Sequence, residues 1–160
     1  IKIHDTAKIS ENCDIEDSVR GSVIEIGAFS NIDSFVKIKP AGGYGNIKLG
    51  KRVHINSCCV LYSGNGILIG NNVLVAANCT FAPVNHEYKS TTLKIIDQGH
   101  AESKGGIVIE DNVWIGANCV LLDGTHIGEG SVVAAGSVVR GRIKGKSLYG
   151  GNPLKLIKSI

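Results

Sequence analysis

An isoleucine, leucine, valine or phenylalanine returns every sixth residue through most of this chain, most cleanly at Ile109, Ile115, Leu121, Ile127, Val133 and Val139. Four residues after each of the first five stands a small or medium side chain: Val113, Cys119, Thr125, Ser131 and Ser137. A helix repeats its apolar face near 3.6 residues and a lone strand near two, so neither accounts for a period of six. Stacked coils do. Each six-residue unit then supplies one short strand and a corner, and successive coils pile into a parallel β-helix.

The same phase runs back to the N-terminus in triplets: Ile3, Ile9, Ile15; Ile26, Ile32, Ile38; Leu49, Ile55, Leu61; Ile69, Val75, Phe81. It breaks only after every third unit. Three units therefore make one coil, the cross-section is a triangle, and extra residues leave from a single corner. About six coils are expected over residues 1–140, as one all-β domain filled by stacked aliphatic side chains. Glycine follows the aliphatic residue at Gly27, Gly50, Gly70, Gly116 and Gly128, which suits sharply bent backbone, as do Asn71, Asn72, Asp111 and Asn112. Residues 87–108 form a long excursion, and loops of that length are commonly functional. Residues 141–160 form a tail in which Asn152-Pro153 predicts the start of a short capping helix, with Asn as N-cap and Pro in the first turn.

Composition narrows the function classes. The register places Cys13, Cys59, Cys79 and Cys119 at the small inward position, as buried free thiols rather than disulfide partners or zinc ligands. Unpaired core thiols suit a reducing compartment, no apolar run approaches a membrane span, and no signal-peptide pattern is seen, so a cytoplasmic location is expected. The net charge of +3 hides an asymmetry. After Glu129, the last acidic residue, come Arg140, Arg142, Lys144, Lys146, Lys155 and Lys158, a pattern that suits phosphate groups. Aromatic residues do not interleave with these charges except for Tyr149, which argues against nucleic acid.

Three segments carry a family resemblance: Ile109-Glu-Asp-Asn-Val-Trp-Ile-Gly-Ala-Asn-Cys-Val120, Ile127-Gly-Glu-Gly-Ser-Val-Val-Ala-Ala-Gly-Ser-Val-Val139 and Gly150-Gly-Asn-Pro-Leu-Lys155. With Asn85-His86-Glu87 at the mouth of the long loop, the chain resembles the hexapeptide-repeat acetyltransferases. It is most similar to those that modify bacterial O-antigen and capsule sugars and to the galactoside and maltose O-acetyltransferase group. The resemblance spans roughly residues 45–158. It implies a left-handed β-helix, acetyl-CoA as co-substrate, a homotrimer with active sites between subunits, and transfer to a sugar hydroxyl. His86 matches the family's catalytic histidine, and imidazole suits a general base because its pKa lies near neutrality.

Sugar contacts are expected from Asn85, from Glu87 (which could also orient His86), from His100 deep in the excursion, from Trp114 and from His54, which stands where the resemblance places an asparagine. The resemblance matches Ala117, Ala135, Arg140, Lys155 and Lys158 to the cofactor, small side chains beside the pantetheine arm and cations at the phosphates, and Trp114, exposed at a corner, is expected as a trimer or cofactor contact. Arg140-Gly141 replaces the family's small hydroxyl residue followed by lysine, and lysine at 155 and 158 lacks arginine's bidentate fork. No cysteine or serine near His86 reads as an activated nucleophile, so direct transfer is expected.

In the unit register, His54, Leu74, Trp114 and Val132 share one corner, and His86 and His126 stack at another. Corners lie roughly 16 Å apart, so His86 meets His54 or Trp114 only across a subunit interface. Three alternatives compete: N-acetylation of an amino sugar nucleotide, a zinc γ-carbonic-anhydrase-like protein, and a non-enzymatic solenoid. The second needs a histidine pair five residues apart, and the sequence has none, so no metal is assigned. An ice-binding solenoid would show threonine ladders, and the five threonines do not align.

Overall fold

A computed structural model describes all residues, 1–160, as a three-sided stack of short strands. The three sheets contain seven, eight and six strands. We call them faces A, B and C in chain order. Ile69, Ile109 and Ile127 stack in register on face A, Val75, Ile115 and Val133 on face B, and Phe81 and Leu121 on face C. Every pairing is parallel but one, between the last two strands. The sixfold period and the triangular section are thus as expected, and insertions leave only at the corner between faces C and A.

The stacked aliphatic residues form one continuous core of 27 buried side chains, centred on Ile24, Ile55, Phe81, Ile115 and Leu121. Full burial of each stabilises by roughly 1.5–3 kcal/mol before entropy is counted. Residues 1–21 contain no buried side chain, so the core begins in the second coil.

Strands straddle the unit boundary: His54–Ile55 and Trp114–Ile115 pair one outward and one inward residue. The corner falls after the aliphatic residue. Its bend is made by residues with positive φ, Asn72, Asn78, Asn112 and Asn118 in the central coils. The glycines Gly27, Gly50 and Gly70, expected to permit the bend, have a different reason to be there. A Cβ on Gly27 would lie 2.3 Å from the Gly50 carbonyl oxygen, and one on Gly50 2.5 Å from that of Gly70. Gly27 and Gly50 are glycine because the next coil's backbone passes too close for any side chain, whereas the space beside Gly70 is taken by the Asp111 carboxylate.

The C-terminal end corrects two expectations. A seventh coil begins at Arg142–Ile143, with Ile143 buried and paired to Ile127. It escaped the sequence register because Ile143 follows Val139 by four residues instead of six. The expected capping helix is absent. Residues Ser147–Gly150 continue face B, the chain reverses through Gly151–Leu154, and Lys155–Ser159 returns as an antiparallel strand. Gly151 supplies a φ of +97° at the reversal. A strand satisfies the unpaired hydrogen-bonding groups at the open end of face B, which a short helix would leave unmet. The long excursion also starts earlier than expected, directly after Thr80–Ala82, and rejoins at Ile107–Ile109.

Candidate active site

The excursion and face C border a concavity of about 1020 Å³. Asn85, His86 and Glu87 form one lip, Ala101 to Lys104 another, and Leu122, Asp123, Gly124 and Arg140 the floor and far side. The two lips are held together by backbone pairing. Glu87 N–H donates to the Gly99 carbonyl at 3.0 Å, and Ala101 N–H donates to the Asn85 carbonyl at 2.8 Å. This bridge sets His86 opposite His100, with ring centroids 5.0 Å apart and planes tilted by 52°. Both rings are exposed, so a substrate can reach either.

Glu87 does not orient His86. One of its oxygens accepts the Tyr88 and Lys89 N–H groups at 2.8 and 3.0 Å, and Lys89 Nζ lies 3.8 Å from the other. These amides, Tyr88 first, hold the carboxyl below its ordinary range. Its work is to shape the lip. Ser103 lines the same concavity, with its Oγ accepting the Gly105 N–H at 3.1 Å and no hydrogen bond to His86.

His126 does not stack on His86. The chain has already left face C at His86, and the register partner of His126 is Val108 on one side and Arg142 on the other. His126 Nε2 lies 2.7 Å from Glu110 Oε1, and this bond, with the Glu129 amide, depresses the Glu110 carboxyl.

His54 and Trp114 occupy a separate surface. They lie in one outward column of face B, His54, Leu74, Trp114, Val132 and Leu148 in successive register. The sequence register puts this column at a corner; because strands straddle the unit boundary, it runs along a flat face instead. Trp114 is 51% exposed there. His54 sits with Arg52, Asn72 and Leu74 in a shallow hollow of about 250 Å³. Neither residue lines the His86 concavity.

Residues 106–141 match the model of the bacterial transferase hexapeptide family, six repeats. Residues 106–141 thus carry the repeats of that family. A Staphylococcus aureus protein assigned as an acetyltransferase is 41% identical over 118 residues, which cover 73% of this chain and 57% of the relative. The chain thus spans little more than half the length of the curated relatives it matches first. Among solved structures, a variant of AntD, an N-acyltransferase from Bacillus cereus, in complex with dTDP-4-amino-4,6-dideoxyglucose and coenzyme A, aligns with TM-score 0.81 and 26% identity, covering 97% of this chain and 81% of AntD. A hexapeptide-repeat acetyltransferase from Vibrio cholerae, complexed with acetyl coenzyme A, aligns with TM-score 0.59 and 26% identity, covering 98% of this chain and 69% of that one. The fold is the left-handed parallel β-helix.

The hexapeptide units distribute the expected cofactor residues over several surfaces. Ala117 and Ala135 lie on the B–C corner, stacked through a Gly136 N–H to Ala117 carbonyl bond of 2.8 Å. Ala135 is exposed and Ala117 half-buried. Arg140 faces the His86 concavity, whereas Lys155 and Lys158 lie on the last strand at the end of face B. The cysteines are as expected for inward fillers. Cys59, Cys79 and Cys119 are fully buried, each Sγ 3.2 Å from a carbonyl of the next coil. The Cys119 thiol lowers that of Cys79, but Cys59 and burial outweigh it and push it up to about 11. None of the three lines the concavity.

Sequence reasoning missed Asp123, Lys104 and Leu122 in the lining. The Asp123-Gly124 pair did carry a turn signal between two core residues, but its partners lie in the excursion, whose path no repeat encodes.

Proposed function

We propose that this chain transfers an acetyl group from acetyl-CoA to a hydroxyl of a sugar, a surface polysaccharide or its precursor, with His86 as general base. The observation that carries this is His86 itself, exposed on the lip of the about 1020 Å³ concavity and faced by a second imidazole at 5.0 Å. A hydroxyl is a poor nucleophile until its proton has an acceptor. A His86 nitrogen takes that proton as the oxygen attacks the thioester carbonyl carbon. The carbon–sulfur bond breaks, and the coenzyme A sulfur recovers the proton from the imidazolium. Asn85 and His100 flank the reacting hydroxyl. Direct transfer is supported by the absence of any cysteine from the concavity lining and by Ser103, whose hydroxyl makes no hydrogen bond to His86. A burst of acetylated enzyme without acceptor would contradict it.

The acceptor contacts from His54 and Trp114 require a neighbouring subunit. We assign the active unit as a homotrimer in which face B of one prism closes the His86 concavity of the next. The exposed apolar column Leu74 and Trp114 supports that packing. Acetyl-CoA then lies along the B–C corner at Ala117 and Ala135, with Arg140, Lys155 and Lys158 available for its phosphates. Three buried unpaired thiols suit a cytoplasmic setting, and no helix is long and apolar enough to cross a membrane.

The similarity to AntD favours a second reading, N-acylation of an amino sugar nucleotide. The two are separated by following coenzyme A release against sugars, oligosaccharides, nucleotide sugars and amino sugar nucleotides, with the product linkage read by NMR. Hydroxyl ester formation is the expected result. Amide formation alone would replace the first reading with the second.

A further inference from the structure

Asp123 is 4% exposed and belongs to none of the chemistry assigned above. Its carboxylate collects three donors from two separate parts of the chain. Oδ2 accepts the Lys104 N–H at 2.8 Å and the Asn65 Nδ2 at 3.1 Å, and Oδ1 accepts the Gly106 N–H at 2.8 Å. Lys104 and Gly106 are the closing leg of the excursion, where it drops back onto face A. The neighbouring residue is shaped for the same leg. Gly124 has a φ of +84°, and a Cβ there would stand 2.9 Å from the Lys104 Cβ. The Gly124 N–H also donates to the Gly106 carbonyl at 2.8 Å.

The span between the Asp123 anchor and the His86–His100 bridge is short. Ala101 hydrogen-bonds across the bridge, and Lys104 is already on the carboxylate three residues later. An acceptor-only group with both oxygens engaged fixes this leg more tightly than an exposed turn could. His86, by contrast, has no hydrogen bond of its own to another side chain. Its place depends on the 85–87 segment, which depends on 99–101, which hangs from the anchored leg.

We propose that Asp123 is a positioning residue. By clamping Lys104 and Gly106 it holds the lip that carries His100 against the lip that carries His86, and so sets the acceptor end of the concavity. The part concerning transfer rests on the acetyltransferase reading; the part concerning the lips does not. Asp123→Asn keeps the shape but turns one acceptor atom into a donor facing an N–H. Asn65→Ala removes one of the three donors and leaves both backbone contacts, as a milder variant if the first does not fold.

The test joins amide exchange with kinetics on the full chain. In Asp123→Asn the Lys104 and Gly106 amides are expected to exchange about tenfold faster or more, and the Glu87 and Ala101 amides of the bridge with them. With an acceptor in hand, the acceptor KM rises or kcat falls roughly tenfold while the acetyl-CoA KM holds. Asn65→Ala moves both readouts in the same direction by less. Faster exchange at Lys104 and Gly106 with unchanged Glu87 and Ala101 would overturn the proposal, leaving Asp123 a local anchor only. So would an unchanged acceptor KM and kcat in a variant whose bridge has loosened. If the wild-type protein acetylates no acceptor, the acetyltransferase reading fails, and the bridge amides still decide whether Asp123 positions the lips.

Discussion

A corner of this solenoid turns on one residue held at positive φ, and the residue chosen differs along the stack. The central coils use Asn72, Asn78, Asn112 and Asn118, the non-glycine type best suited to that region. The second coil uses Phe29 and Phe35 instead, at φ +58° and +62°, with rings 64% and 62% exposed. A bulky side chain in this conformation costs roughly 1 kcal/mol or more, and an exposed ring recovers little of it. Phe35→Asn is therefore expected to stabilise the protein by about 0.5–1 kcal/mol. Urea unfolding would show this as a higher midpoint at unchanged slope. A lower midpoint would mean that the ring makes contacts worth more than the strain. Asn72 and Asn112 were legible as turn residues from the sequence; the phenylalanines were not, because nothing in their side chains announces a left-handed backbone.

Between coils, the A–B corner is tied by a polar ladder. The Lys51 N–H donates to Asn71 Oδ1 at 2.8 Å, and the Asn71 N–H donates to Asp111 Oδ1 at 2.7 Å. The Asn71 backbone and then its side chain hold the Asp111 carboxyl below its ordinary value of 3.8. A carboxyl depressed on folding contributes stability above its unfolded pKa and loses it as pH falls through the folded value. Wild type is thus expected to be more stable than Asp111→Asn at pH 7, and the gap should close as pH drops below about 4. Thermal unfolding of both across that range checks it; a gap that persists in acid would assign the effect to packing. The regular elements were largely readable in advance, since Ile109, Ile115 and Leu121 declare face, register and burial together. Where the phase slipped, at Ile143, a whole coil went unread. Asn152-Pro153 predicts a helix because Asn-Pro is a strong local signal, whereas the strand Lys155–Ser159 is chosen by a long-range partner, the open edge at Ser147–Gly150.

At the scale of the molecule, the sheets separate two sets of side chains that the proposed chemistry needs together. His86 and Arg140 line one concavity, with His100 facing His86 at its edge, and His54 and Trp114 stand on flat face B. Only a second copy brings them together. The protein is expected to sediment as a trimer, and Trp114→Lys should reduce assembly and turnover together while leaving the β circular dichroism intact. A monomer with full activity would remove face B from the site. The place of His86 at the mouth of the excursion was readable from its sequence context, but the His86–His100 facing and the Asp123 anchor were not. Both arise where residues far apart in sequence meet in an excursion that obeys no period.

The central claim is that His86 takes the proton from the acceptor. The most direct measurement is coenzyme A release from acetyl-CoA, with and without acceptor, by wild type and His86→Ala, alongside acetyl-CoA binding to each. The account predicts acceptor-dependent release that falls about 10²-fold or more in the variant with binding retained. Equal release by the two proteins would contradict it.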